Sequence, residues 1–440
     1  MNNNYDLIVI GAGPGGYNAA LEASKGGLST LLIEKEKVGG TCLNSGCIPT
    51  KSFYASSNLI NQMKKSEELG ITSSYSFDYQ KILERKNSVV KTLGDGIKFA
   101  LEKAGVAYLE GEAKLISNNE VKVNDEVFEA KNIIIATGSR ELIIPIKGCE
   151  YTVSSKDILD LETLPNDLVV IGGGVIGVEL ASILSLMGVS VTIIELQKNI
   201  LPNLDLEISR RLTSYLKQLG VKIITGSSVV KVEKDKVHYV TNDKETVIDA
   251  SLTLMAIGRR PNIENLGLEE VGINFNKRGI EVDSHFETNI KGIYAIGDVN
   301  GKVLLAHYAE ASGKKVVDEI LNRENHTNFD LVPSVVFTFP EVASCGVTEE
   351  YLKENNISYQ ANKVLYRSNG KALASGEVDG FLKVLTVDEK IVGVHIIGHE
   401  ASLLIHEASI LMNNKTKVTE AKDYIFAHPT LSEIFRDGLK

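Results

Sequence analysis

The apolar residues of this chain come in short runs broken by glycine. "YDLIVIGAGPGGYNAALEASKGGLSTLLIEK" begins at Tyr5 and "DLVVIGGGVIGVELASILSLMGVSVTIIEL" at Asp167. Each predicts an apolar strand, a glycine turn, a helix and a second apolar strand that ends in glutamate. The two segments are copies of one unit. Gly11, Gly13 and Gly16 precede Gly172, Gly174 and Gly177 by 161 positions, and Glu34 and Glu195 keep the same offset. "NIIIATGS" (132–139) and "TLMAIGRRPN" (253–262) read as strands that close the two units. "GIYAIGDVNG" (292–301) is another strand, with Asp298 at its C-terminal end. Ligand crevices of α/β sheets lie at such ends, although a plain turn aspartate would look the same. Near the C-terminus "YQANKVLY", "GFLKVLTV" and "KIVGVHII" predict strands, with helices after them.

Each glycine has a physical role. The first permits a tight turn, the second lets a pyrophosphate approach the backbone, and the third lets helix pack on strand. Phosphates then sit at the helix N-terminus, where free N–H groups and the helix dipole attract anions. The acid that ends the second strand accepts from a ribose diol. Both units therefore predict Rossmann-like dinucleotide sites: Gly11, Gly13, Gly16 and Glu34 in one, Gly172, Gly174, Gly177 and Glu195 in the other. Glu195 would repel a ribose 2′-phosphate, and Lys198 is the only nearby cation in "ELQKN". NAD is expected there rather than NADP.

Composition narrows the class. The length of 440 residues, 43% hydrophobic and 24% charged, suits about two to four globular domains. A net charge of −10 with no basic arm argues against nucleic acid. Residues 168–194 are long enough to span a bilayer, but their central glycines and Glu179 fit strand–turn–helix–strand instead. The N-terminus lacks a positively charged leader, so a soluble cytoplasmic protein without membrane contact is expected.

Four cysteines are too few for a disulfide scaffold, yet two of them lie in "GGTCLNSGCIPTK" (39–51). Cys42 and Cys47 can bond only if the chain bends between them, because i and i+5 on a regular helix face different ways. Asn44, Ser45 and Gly46 suit a bend, and Pro49 suits the first turn of a helix. Cys47 would then sit at a helix N-terminus, where a thiolate is stabilised, with Lys51 adding positive charge. Two reduced core cysteines are the bland alternative; Cys149 and Cys345 are isolated. A redox disulfide must touch the carrier that stays bound, so the first site should hold flavin and the second nicotinamide. Thiol exchange needs a base. His428 in "AHPTLSE" is the candidate, extended before Pro429 and oriented by Glu433; a loop histidine is the plain reading. His395, His399 and His406 contain an i, i+4 pair, but "IVGVHIIG" reads as a strand, so no metal site is expected.

"GGTCLNSGCIPTK" resembles the active disulfide of the flavin-dependent disulfide reductases related to glutathione reductase, and the likeness runs through nearly the whole chain. "LLAHYAEASG" (304–313), "FPEVASCGVTEEYLK" (339–353), "VHIIGHEAS" (394–402) and "FAHPTLSE" (426–433) are most similar to the members that oxidise dihydrolipoamide. The resemblance implies FAD and NAD as cofactors. It implies that Cys42 is the interchange thiol and Cys47 the thiolate beside the flavin, with Lys51 near flavin N5 and paired with Glu179. It places Ala113, Thr137, Gly138, Ala306 and His307 at FAD, and Val229 and Gly258 at NAD. His428 would reach Cys42 of the other subunit of a homodimer.

The implied fold is α/β: two Rossmann-like dinucleotide-binding domains, for FAD and NAD, plus an α+β C-terminal dimerisation domain. The boundaries read as 1–144 for the first part of the FAD domain, 145–262 for the NAD domain, 263–330 for a return segment and 331–440 for dimerisation. The implied reaction oxidises protein-bound dihydrolipoamide, with a lipoyl domain of a multienzyme system as partner. A glutathione reductase-like enzyme is the alternative within the family, disfavoured by Glu195 and "LLAH". A mainly structural component of a multienzyme complex is the alternative outside catalysis.

Overall fold

The computed structural model describes residues 3–439. The chain forms two compact units. The first comprises the described residues up to Ser52, Leu83–Leu142 and Gly258–Thr327; the second comprises Phe53–Ile82, Ile143–Ile257 and the residues from Asn328 onward.

The first unit is built on one sheet. Its strands run Ala107–Glu110, Thr30–Glu34, Asn4–Ile10, Glu126–Ile135, Glu120–Val123 and Ala113–Leu115, and Ile293–Ala295 pairs in parallel with Glu126–Ile135. Asn4–Ile10 lies parallel to both neighbours, in register Ile8↔Leu31 and Ile8↔Ile133. Parallel strands covered on both faces read as continuous apolar runs, and Leu7, Ile8, Val9, Leu31, Leu32, Ile133 and Ile134 are fully buried. Helix Pro14–Lys25 packs on helix Ala306–Ile320 through small residues. A Cβ on Gly313 would fall 2.7 Å from the Gly15 carbonyl oxygen, and one on Gly15 would fall 2.9 Å from that of Ala309.

The second unit repeats the nucleotide architecture in a parallel sheet ordered Lys222–Ile224, Ser190–Ile194, Asp167–Ile171, Leu252–Met255. An antiparallel meander, Ser227–Val232, Lys236–Thr241 and Lys244–Asp249, packs near it. The long apolar stretch resolves into strand Asp167–Ile171, helix Val175–Leu186 and strand Ser190–Ile194. No helix among the described residues is long and apolar enough to cross a membrane.

The C-terminal part of this unit is a five-stranded antiparallel sheet, ordered Ser334–Val336, Glu341–Gly346, Lys390–Gly398, Phe381–Val387, Gln360–Leu365, with helix Ala401–Asn413 packed on it. The first two strands are absent from the periodicity reading because "PSVVFTFPEVASCG" shows no clean alternation and carries two prolines. The helix expected at Cys47 runs on to Lys65, and a second helix, Tyr79–Ala104, is an addition. The second holds Gly94 and Gly96 in its interior, which weakens its local signal.

Candidate active site

The two glycine turns have matching geometry. Gly11 and Gly172 take φ of +102° and +106°, a region that excludes most side chains. A Cβ on them would fall 2.4 Å from the Ala136 oxygen and 2.5 Å from the Ala256 oxygen, respectively. Gly16 and Gly177 are closed by packing: a Cβ would lie 1.8 Å from the Gly11 oxygen and 2.2 Å from the Gly172 oxygen. Gly13 and Gly174 differ, since nothing lies within 4 Å of a Cβ built on either. Each of those two is also the N-cap of its helix, with no side-chain cap.

The strand-end acids repeat as closely. The Ala12 and Glu36 amides donate to Glu34 at 2.7 and 2.9 Å; the Gly173 and Gln197 amides both donate to Glu195 at 2.6 Å. Both carboxylates are buried and fixed beside their turns, with acceptor capacity left for a ribose diol. Open space at the middle glycine, free helix-terminal N–H groups and a fixed acid fit a dinucleotide in each unit.

The cysteine segment lies against the first turn. Gly39 and Gly40 have φ of +91° and +56°, and a Cβ on Gly40 would fall 2.8 Å from the Gly13 Cα. Helix Gly40–Ser45 ends at Gly46, and the next helix begins at Cys47. The Asn44 amide nitrogen donates to the Val38 and Gly40 oxygens, and the Thr50 hydroxyl donates to the Gly46 oxygen at 2.7 Å. This break returns Gly46 towards Cys42: its Cβ would fall 3.5 Å from the Cys42 Cα. The two sulfurs are unbonded thiols in hydrogen-bond contact, and that contact, then burial, raises the Cys42 pKa. Lys51 and the Cys47 backbone N–H pull it down. Cys42 is half-buried and Cys47 exposed.

Asp298 sits in the short helical turn Gly297–Asn300 and accepts from the Ser139 hydroxyl at 2.5 Å. Burial raises its pKa, against Ser139 and Arg259. Arg259, absent from the sequence reading, donates to the Ser139 hydroxyl at 2.8 Å, the Ser139 carbonyl at 2.7 Å, Glu141 at 3.2 Å and the Thr41 hydroxyl at 3.5 Å. It therefore ties the residue before Cys42 to the Asp298 partner. Its only local signal is its place after Gly258 in "GRRPN". Tyr17 was also missed: burial raises its pKa first, and Cys42 is among the charges that add to this. Thr137 and Asn262 exchange hydrogen bonds at 2.8 and 2.9 Å, and Gly138 has φ +69°. Ala113 opens a buried strand beside Val123. Ala306 and His307 open helix Ala306–Ile320. Gly258 falls in the first unit, with φ +133° and open space at a Cβ.

In the second unit, Glu179 is buried in helix Val175–Leu186 and accepts from the Phe337 amide at 2.8 Å. Val229 is buried in the meander. His428 Nδ1 lies 3.2 and 3.1 Å from the two carboxylate oxygens of Glu433. The Thr430 amide, then His428, lower the Glu433 pKa. The His428 side chain is 78% exposed, and Tyr424 and the fully exposed Ile425 precede it. His395 is buried, bonded to the Ser344 hydroxyl at 3.1 Å and the Val347 oxygen at 3.0 Å, and burial lowers its pKa.

Two nucleotide-shaped sites and a paired thiol define a flavin- and nucleotide-linked disulfide chemistry, and sequence comparison agrees. The chain belongs to the pyridine nucleotide-disulphide oxidoreductases, whose family profile matches residues 5–313 and whose dimerisation domain matches residues 332–438. It is 37% identical to the dihydrolipoyl dehydrogenase of Chlamydia muridarum, over 100% of this chain and 97% of that protein. The Staphylococcus aureus dihydrolipoyl dehydrogenase is 38% identical over 98% of this chain and 94% of its own. Among solved structures, the HOCl-induced flavoprotein disulfide reductase RclA from Escherichia coli superposes with a TM-score of 0.88 at 28% identity, covering 99% of each chain. The chain is thus an oxidoreductase that uses FAD and NAD and carries the family's dimerisation domain, forming a homodimer.

Proposed function

We propose that the chain is a dihydrolipoyl dehydrogenase that oxidises the dihydrolipoamide of a lipoyl domain and reduces NAD+. The contact of Cys42 and Cys47 at the break between two helices carries this reading; full-length relatives of that name support it. FAD, held by Gly11, Gly13, Gly16, Glu34 and Asp298, supplies two-electron transfer between the thiol pair and NAD. NAD is held by Gly172, Gly174, Gly177 and Glu195, with Val229 and Gly258 beside it. Ala113, Thr137, Gly138, Ala306 and His307 complete the FAD site, in a domain of residues 1–144 and 263–330. Residues 145–262 form the NAD domain and 331–440 the dimerisation domain.

The oxidised enzyme carries a Cys42–Cys47 bond. A substrate thiol loses its proton to His428 Nε2 of the partner subunit, while Glu433 holds Nδ1 and stabilises the imidazolium. The substrate sulfur bonds to Cys42 and the Cys42–Cys47 bond breaks. The second substrate thiol then displaces Cys42, its proton passing to the departing Cys42 sulfur, so that the lipoyl disulfide closes and both cysteines are left reduced. The helix N-terminus favours negative charge on Cys47, while the hydrogen bond and burial keep the proton on Cys42. Lys51, in the helix that Cys47 opens, adds positive charge beside the thiols.

Anaerobic addition of dihydrolipoamide, followed by NAD+, tests the proposal. A long-wavelength absorption band on reduction and its loss on NAD+ addition are expected; no band, or no NADH, would overturn it. A second reading, a disulfide reductase with another oxidised substrate, is favoured by the RclA superposition. NADH formation from dihydrolipoamide separates the two.

A further inference from the structure

Lys383 belongs to strand Phe381–Val387 of the C-terminal sheet, yet its side chain is only 3% exposed. Its Nζ lies 2.7 Å from Asp205 Oδ2, 2.8 Å from Glu349 Oε2 and 3.6 Å from Glu207 Oε2. Asp205 is fully buried. Lys353 also pairs with Glu349 at 2.6 Å, and the Tyr359 hydroxyl donates to Glu349 at 2.8 Å. A buried ion cluster adds little net stability, because desolvation offsets most of the attraction, but removing one member strands the others. What the cluster holds in place is therefore more telling than the stability it adds.

Asp205 caps helix Leu206–Gln218 by accepting from the Glu207 amide at 3.1 Å. It also ends the segment that starts directly after Glu195. That segment is bound to Glu195 and the nucleotide turn through its first half. The Gln197 amide donates to Glu195 at 2.6 Å, and the Leu201 amide donates to the Gly173 oxygen at 2.8 Å. Ile200 packs on Gly173, where a Cβ would fall 2.8 Å from its Cγ2. The Ser209 hydroxyl, one turn into the helix that Asp205 caps, donates to the Ile200 oxygen at 2.5 Å.

We infer that Lys383 is a positioning residue for NAD. By neutralising Asp205 it holds the segment from Leu196 to Asp205 in the placement that presents Glu195 and the Gly172–Gly174 turn to the nucleotide. A side chain of the dimerisation sheet thus sets nucleotide affinity. The inference rests on reading that turn as the NAD site.

The test is Lys383→Met in the FAD-loaded dimer, with NAD+ binding measured by calorimetry alongside steady-state kinetics. The Kd and KM for NAD+ should rise about tenfold, while kcat and flavin reduction by dihydrolipoamide stay within about twofold, and Lys383→Arg should recover most of the loss. Wild-type NAD+ affinity in Lys383→Met overturns the inference. If that variant gives no dimeric flavoprotein, Glu349→Gln decides, its carboxylate being 20% exposed where Asp205 is fully buried. A rise in Kd of about threefold supports the inference, and no change refutes it. Glu195→Ala separates the two readings. If it leaves NAD+ Kd unchanged, the site assignment itself fails; if it weakens binding while Lys383→Met does not, only the role of Lys383 falls.

Discussion

Gly174 and Gly177 belong to the same glycine motif, one capping its helix and the other inside it, and alanine at each should have opposite consequences. Gly174 has φ −75° and ψ −178°, which alanine adopts without strain, and a Cβ there meets no protein atom within 4 Å. Alanine restricts the unfolded chain, worth about 0.4–1 kcal/mol, and is a poorer N-cap by a similar amount. Stability should therefore stay within about 1 kcal/mol of wild type. The methyl instead occupies the space a pyrophosphate needs. Overpacking a close contact costs about 1–3 kcal/mol, a loss of NAD+ affinity of roughly 5- to 150-fold. At Gly177 the methyl would lie 2.2 Å from the Gly172 oxygen and 3.1 Å from Val170 Cγ1. Backbone has to move, so Gly177→Ala should lose about 1–3 kcal/mol or more of stability. Denaturant melts and NAD+ calorimetry on both variants, with flavin absorbance as a folding control, make the comparison. Wild-type NAD+ affinity in Gly174→Ala would refute the assignment of an open cradle, and an unchanged melt for Gly177→Ala would refute the packing argument.

Cys47→Ser should abolish dihydrolipoamide oxidation while leaving bound flavin and dimer intact, by absorbance and sedimentation; measurable turnover would defeat the redox role. His428→Gln should lower turnover by about 10²–10⁴ at constant flavin content, and stopped-flow reduction by dihydrolipoamide should show that loss in the first half-reaction. Burial opposes ionisation of Glu349, but hydrogen bonds from Lys353, Lys383 and Tyr359 prevail and bring its pKa from 4.5 to about 2. Its stabilising contribution is thus complete above the unfolded value of 4.5 and is lost as pH falls towards about 2. Glu349→Gln should flatten the fall in stability across that window, and parallel acid melts of variant and wild type would contradict this.

The nucleotide units were legible because their constraints are local. A turn that needs positive φ at Gly11 and a carbonyl touching Gly16 leaves glycine as the only residue that fits, and the acid follows at a set distance. The bend at Gly46 was legible for the same reason. His428 carried little signal of its own, since a histidine before proline is common in loops; its meaning came from resemblance. Arg259 and Lys383 were invisible because their partners lie far along the chain. Arg259 needs Thr41 and Ser139, and Lys383 needs Asp205 and Glu349. Helix Tyr79–Ala104 was obscured by its own glycines.

The end of the chain has one more consequence. His428 projects from its protomer behind a wholly bare isoleucine, Ile425, and a half-bare tyrosine, Tyr424. A lone protomer would thus show water both a greasy knob and an idle base. On the proposed role of His428 at the partner's disulfide, dilution below the association threshold should silence the enzyme and render it sticky at the same moment.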